Sequence, residues 1–311
     1  MGADVRIVNQ SNKHTPYIKE LIKKKQVEFL VRDLRDLSSA KKSVKGVDVV
    51  FHFACDHGGR GYVDLHQGPT ASNLLLDGAV FKASLEENVE KIFFASSGCV
   101  YPVHLQADVK KEIYLKEDMV KPPYDADNMY GWGKLMGELT LKAYYKDYGM
   151  KSAIGRFFTV FGERGLENHA VIAMIARAFI KQNPFEVWGD GKQIRNWTYV
   201  GDIVEGSLLA AEKIDNATAI NLGTAERTRV IDAVQEVLRL TGHKAQIKLK
   251  PNMPTGPLNR VADNSLAKKL LGWQPKTNFM QGLHKTTNWY FSTKSAAKIK
   301  DNFARLLTER Q

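Results

Sequence analysis

Short β-branched and aromatic runs alternate with helix-period patterns through the first half of this chain, and no other feature limits its fold as strongly. The runs at 5–8, 27–31, 47–53, 91–95 and 152–156 are rich in Val, Ile and Phe and read as strands. Between them, 16–24, 37–43, 71–87 and 129–148 carry apolar residues at helical spacing. Strands separated by helices pair in parallel, because a parallel neighbour is reached only through a crossover. Lys91-Ile-Phe-Phe-Ala95 lacks polar alternation, the pattern of a strand covered on both faces. The expected class is therefore α/β, a doubly wound parallel sheet. After Arg156 the texture changes. There 161–167 reads as a polar loop, 170–182 as a helix, 185–195 as a glycine-containing turn region and 219–223 as the last strand of the main sheet.

Composition narrows the function classes. With 311 residues, 43% of them hydrophobic, the chain can bury a large core in one or two domains. No window approaches the roughly 18 uninterrupted apolar residues that span a bilayer, and the first residues hold no apolar signal segment. The two cysteines, Cys55 and Cys99, make no disulfide framework and suit a reducing cytoplasm, with Cys55 expected in the core. A net charge of +11 favours anionic partners. No stretch interleaves basic and aromatic residues as nucleic-acid binders do, and the lysines and arginines of 294–310 read as a solvated helix. No metal-ligating cluster, internal repeat or low-complexity segment is evident.

Two local patterns carry chemistry. The strand at 91–95 runs on into Ser96-Ser97-Gly98-Cys99-Val100-Tyr101-Pro102, so small polar residues emerge at its C-terminal end, where open α/β sheets bind ligands. Downstream, Tyr130-Gly-Trp-Gly-Lys134 sets a phenol and an ammonium four residues apart, on one helix face. An ammonium beside a phenol lowers its pKa from about 10 and makes it usable as a general base or acid.

Together these runs resemble the extended short-chain dehydrogenase/reductase family, the NAD-dependent nucleotide-sugar epimerases and dehydratases, from about residue 5 to residue 289. The resemblance implies a Rossmann-like cofactor domain over 1–158 and 196–229, a substrate-binding lobe over 159–195 and 230–290, and a basic C-terminal helix at 291–311. It implies NAD, held by Tyr130 and Lys134 at the nicotinamide ribose, by Phe53 and Ala54 beneath the pyrophosphate, and by Asp33 and Leu34 over the adenine. Asn9 stands where relatives often carry an acid for the adenosine ribose, with Lys13 nearby, so NADP is compatible as well. Ser97 would bond the sugar hydroxyl and Tyr130 would move its proton. Gly59, Thr159, Arg195 and Arg260 match substrate-side positions, the two arginines clamping the diphosphate. Trp188 is expected either in the base pocket or in the core. A homodimer through the helices at 71–87 and 129–148 is the family's habit.

The family's fold opens with a strand and a Gly-x-x-Gly-x-x-Gly turn. Here 1–8 already reads as the second strand, and Gly58-Gly59-Arg60-Gly61 follows a later strand instead. Two expectations follow: a recorded start downstream of the true one, or a genuine short form with impaired cofactor binding.

The reaction is narrowed by position 99. Water-eliminating relatives place an acid pair where this chain has Gly98 and Cys99. GDP-mannose 3,5-epimerases and GDP-fucose synthases instead carry a run closely like Ser96–Pro102, and pair its cysteine with a cap-side Lys or His; His169 takes that place here. The resemblance thus implies epimerisation of a nucleotide-diphosphate sugar through a keto intermediate, with Cys99 and His169 as acid and base. The residues leave other readings open: Cys99 as a small core residue, and His169 as a cap of the following helix or a contact to a sugar hydroxyl. A dehydratase or reductase of the same family and a catalytically silent scaffold remain as alternatives.

Overall fold

The computed structural model describes residues 2–12 and 16–309; Lys13 lies outside the described residues. The chain begins β1 (Val5–Asn9), α1 (Pro16–Lys23), β2 (Val27–Val31), α2 (Leu37–Val44), β3 (Val49–His52). Three helices follow: α3 (Arg60–Leu65), α4 (Gln67–Ala71) and α5 (Asn73–Glu86). The periodicity at 71–87 thus covers two helices, divided at Ser72. Next come β4 (Lys91–Ser97), α6 (Asn128–Tyr148), β5 (Lys151–Phe157), β6 (Val160–Phe161), α7 (Ala170–Phe179), β7 (Phe185–Trp188), β8 (Ile194–Arg195) and β9 (Thr198–Tyr199). The region 185–195, expected as a turn, therefore contains two strands. The chain closes with α8 (Val200–Lys213), β10 (Asn216–Leu222), β11 (Thr228–Arg229), α9 (Val230–Thr241), β12 (Ile247–Lys250), β13 (Asn259–Arg260), α10 (Ser265–Leu271), α11 (Phe279–Thr293) and α12 (Ala296–Thr308).

The main sheet is parallel, in the order β10-β5-β4-β3. All seven residues of β4 are buried, as its unbroken apolar pattern requires, because helices cover both faces. One face packs Phe93, Ala153, Ile220 and Leu222 under α8 and α10. The other packs Ile92, Phe94 and Ile154 under α5 and α6. Strands β1 and β2 form a separate parallel pair, with Val5 beside Val27. Among the described residues no strand joins β1 to β3, so β3 is an edge; Phe51 and the following Phe53 are 37% and 51% exposed.

A second core lies beyond β5. It gathers α7, β7, α9, α11 and α12 around Trp197, which stacks on Phe279 at 5.1 Å. Helix α12 buries Ile299 and Phe303 and packs on α3 and α7, while its lysines face outward. Parallel pairing of β12 with β7, and of β13 with β8, ties this part to the loops above the main sheet. No helix of the described residues is long and apolar enough to cross a membrane.

Candidate active site

The C-terminal ends of β4 and β5 open into a cavity of about 910 Å³, walled on its other side by the segment before α7 and by β7 and β8. Parallel pairing sets Ser97 beside Phe157, so both strands end at one level beneath this cavity. Past Ser97 a 3-10 turn over Gly98–Val100 redirects the chain, and the Ser97 hydroxyl accepts the Cys99 N–H at 3.1 Å.

Helix α6 brings Tyr130 against that turn. A side chain at position 131 would place its Cβ 2.4 Å from the Cys99 carbonyl oxygen, a backbone atom that cannot yield. Glycine there lets the phenol approach Ser97 and Cys99. Tyr130 is 7% exposed, and the Ser97 hydroxyl beside it draws its pKa down, though less than burial raises it. Sequence reasoning expects Lys134 to lower the Tyr130 pKa; in this structure the direction is upward. Burial dominates, and the charges of Cys55, Cys99 and Asp77 add to it. The Lys134 ammonium lies 4.6 Å from the Phe94 ring centre and 5.9 Å from that of Tyr130. It is buried without a hydrogen-bond partner.

His169 precedes α7 in extended backbone, and its side chain makes no cap bond, so capping does not explain it. It lines the cavity, where burial holds its pKa below the usual imidazole value. The loop after β3 reaches the same wall. A Cβ on Gly59 would sit 1.5 Å from the Asn168 carbonyl oxygen, so only glycine permits this approach beside His169.

Arginines form the polar end. Arg260 donates to Cys99 Sγ at 3.1 Å, to Gln106 Oε1 at 2.6 Å and to Asp127 Oδ2 at 3.0 Å. Arg60 donates to the same Asp127 oxygen at 2.8 Å. Arg195 donates to the backbone carbonyls of Ile194 and Thr255 at 2.8 and 2.7 Å. Burial, then the neighbouring Arg260 and Arg60, push its pKa down to about 9. Arg60 also pairs with Asp64 at 2.7 Å, so three guanidiniums stand against two carboxylates and leave net positive charge in a low-dielectric wall, a setting for an anion.

The cavity therefore gathers Ser97, Cys99, Tyr130, His169, Thr159 and Phe53, together with Gly59, Arg195 and Arg260. Lys134 lies behind Tyr130. The residues expected over the adenosine stand apart from it, at the ends of β1 and β2. Asn9 accepts the Gln10 N–H at 2.8 Å. Asp33 is held by Arg35, which draws its carboxyl down to about 2. Leu34 packs against Val50 and the α2–α5 contact, while Ala54 is half-buried. Cys55, expected in the core, lines the cavity instead, and Trp188 does too. His57 and Arg60 of the Asp56-His-Gly-Gly-Arg-Gly61 loop also belong to the wall; the glycines marked the loop, but nothing local marked these two side chains.

Residues 1–223 match the family described as "NAD dependent epimerase/dehydratase family". The chain is 34% identical over 269 residues to GDP-mannose 3,5-epimerase of Arabidopsis thaliana, covering 84% of this chain and 70% of that one. It is 28% identical over 280 residues to UDP-glucuronate 4-epimerase of Thermodesulfobacterium geofontis, covering 88% and 82%. Among solved structures, the epimerase Mth375 of Methanothermobacter thermautotrophicus superposes with a TM-score of 0.81 at 26% identity, over 98% of this chain and 87% of that one. A UDP-glucuronic acid 4-epimerase from Bacillus cereus, solved with UDP-glucuronic acid and NAD, shares the fold at a TM-score of 0.81 and 24% identity, over 94% and 92%.

Proposed function

Because the chain belongs to the NAD-dependent epimerase/dehydratase family, we propose that it epimerises the sugar of a nucleoside-diphosphate sugar through a transient keto intermediate. The observation that carries this reading is the meeting of Ser97, Cys99, Tyr130 and His169 in one cavity with three arginines.

The residues fit NAD at its nicotinamide ribose end. A buried ammonium without a partner is costly, and the ribose hydroxyls would satisfy Lys134 Nζ. At the adenosine end Asn9 and Asp33 are the candidate contacts, and no Gly-x-x-Gly-x-x-Gly turn occurs among the described residues. When bound, NAD supplies the acceptor that takes a hydride from the carbinol carbon and later returns it.

Ser97 holds the sugar hydroxyl, and Tyr130 accepts its proton as the carbon is oxidised. The ketone acidifies the neighbouring C–H, and Cys99 and His169 exchange protons there from opposite sides. They come from separate elements, the turn after β4 and the segment before α7, which suits attack from two directions. Arg260 fixes the direction of the Cys99 sulfur through its 3.1 Å bond. Arg195 and Arg60, with Arg260, hold the diphosphate.

Cys99→Ser tests the reading in deuterated water. The wild-type protein, given NAD and a panel of nucleotide sugars, is expected to place deuterium beside the transient ketone. The variant should still reduce nicotinamide transiently but lose deuterium uptake by at least about 10²-fold. Undiminished epimerisation by the variant would mean that hydride returns to the other face and Cys99 is dispensable. Elimination or net reduction of the sugar would mark the dehydratase or reductase reading. Silence of the wild-type protein on every sugar would leave the scaffold.

We also infer a homodimer through α5 and α6. Leu74 and Leu75 on α5, and Met136 and Tyr148 on α6, are 44%, 67%, 45% and 62% exposed, an apolar face that a second copy would cover. Light scattering is expected to give twice the 35.0 kDa chain mass, and Leu75→Glu with Met136→Glu to give the monomer. A monomeric wild-type protein sinks this inference. Neither cysteine forms a disulfide, which accords with the cytoplasm as the working compartment.

A further inference from the structure

His57 is absorbed by none of the roles above, yet it stands between two of the proposed reacting groups. It follows β3, in the loop that leads through Gly58 and Gly59 into α3. Its imidazole stacks on the Tyr130 phenol, with ring centres 4.7 Å apart and planes 28° from parallel. The His169 ring centre is 5.3 Å from the same imidazole, with planes at 48°. All three rings line the cavity.

We propose that His57 is a positioning residue, whose ring holds the Tyr130 phenol against Ser97 and spaces it from His169. This deepens the epimerase reading and rests on it for the activity readout. The near-parallel stack argues against direct proton transfer between His57 and Tyr130, because hydrogen bonds to imidazole nitrogens lie in the ring plane. What a stacked ring does provide is a wall. Tyr62, Val63 and Cys99 share the apolar cluster of Tyr130. Without the imidazole the stacked face loses its cover, and the hydroxyl is freer to swing away from Ser97. Proton abstraction depends on placement within about an ångström, and misplacement of that size costs up to about 10²-fold.

The loop's construction supports this role. Gly59 lies against the Asn168 carbonyl, so the backbone beside His57 is pinned to the segment that carries His169. Tyr62, one turn into α3, donates to Asp56 Oδ1 at 2.7 Å and closes the loop on itself. His57 is thereby fixed to both halves of the site, the strand that ends beneath the cavity and the segment before α7.

Two substitutions separate the ring from its nitrogens. His57→Phe keeps a stacking surface, and His57→Ala removes it. Expected for His57→Ala is a fall in kcat of about 10- to 100-fold, with KM for the nucleotide sugar within about twofold of wild type. His57→Phe is expected to restore kcat to within about fivefold. A readout independent of turnover uses protein labelled with 3-fluorotyrosine, the Tyr130 fluorine resonance being assigned by its loss in Tyr130→Phe. That resonance should move in His57→Ala, as the neighbouring ring current disappears, and broaden as the phenol gains freedom. In His57→Phe it should stay sharp. Wild-type kcat in His57→Ala overturns the proposal, and so does a raised KM at constant kcat, the mark of a substrate contact. A Phe variant as poor as the Ala variant overturns it too, because the imidazole nitrogens would then be what matters. If the wild-type protein turns over no nucleotide sugar, the epimerase reading fails alone, and the fluorine spectrum still decides whether His57 holds Tyr130.

Discussion

Tyr130→Phe is expected to lower turnover of the nucleotide sugar by about 10²- to 10⁴-fold while the protein melts within about 2 °C of wild type. The substitution removes one oxygen and leaves a ring of the same shape against Tyr62, Val63 and the His57 imidazole. The lost oxygen is the one whose pKa the Ser97 hydroxyl lowers. Its pKa is held up by burial and by Cys55, Cys99 and Asp77, so the phenol is protonated in the protein without substrate. Its proton must therefore leave before the phenol can take one from the sugar, and the opposing positive charge comes from Lys134 behind it and from the bound cofactor. In the wild-type protein kcat should accordingly rise with pH toward a plateau. In Tyr130→Phe the residual rate should be flat over the same range, since no phenol remains to titrate. Turnover within tenfold of wild type would remove Tyr130 from the chemistry and leave Cys99 and His169 to account for it.

Glu138→Ala is expected to destabilise the protein by roughly 3–5 kcal/mol. At about 2–4 °C per kcal/mol this lowers the melting midpoint by roughly 6–20 °C. Glu138 on α6 and Arg156 on β5 are each 1% exposed and meet in a two-pronged pair, Nε to Oε1 at 2.9 Å and Nη2 to Oε2 at 2.8 Å. The Ser96 hydroxyl adds a third bond to Glu138 at 2.6 Å. The remaining Arg156 nitrogen, Nη1, donates to the Tyr101 hydroxyl at 3.2 Å and to the Glu117 carbonyl at 3.0 Å. Removing the carboxylate strands a buried guanidinium and leaves Ser96 without its acceptor, which is why the penalty exceeds that of an exposed pair. Glu138→Leu combined with Arg156→Met should recover most of the loss, because two apolar groups of similar volume strand nothing. Thermal melts of the two variants beside wild type check this. A loss below about 1 kcal/mol in Glu138→Ala would mean that water or a shifted side chain compensates the arginine. The pair ties β5 to α6, and the Ser96 bond ties the end of β4 to the same carboxylate, next to Ser97, so a loosened pair should also raise the mobility of the site.

Much of the scaffold was readable because it depends on short-range pattern. The strand at 91–95 lacks polar residues, and the structure buries it on both faces. The spacing of Tyr130 and Lys134 needs only a helix to bring them to one face, and α6 runs from Asn128 to Tyr148. The short strands β7 and β8, of four and two residues, were missed because so few positions carry no period. Glu138 shows the other limit. It lies four residues after Lys134, a spacing that in sequence suggests an exposed pair along the helix. The fold turns it inward to Arg156 instead.

By itself the sequence determined the α/β class, the strand end bearing Ser97 and Cys99, and the helix bearing Tyr130 and Lys134, since each follows from side chains a few residues apart. Only the tertiary structure decided what surrounds them. It brought Arg260 onto the Cys99 sulfur across 161 positions of chain and set His57 on the Tyr130 ring. It also drew Cys55 from an expected core position into the cavity and reversed the expected direction of the Tyr130 pKa. The physical reason is common to all four. Burial and charge act through space, and the distances that set them are made by packing between elements that the chain order does not place side by side.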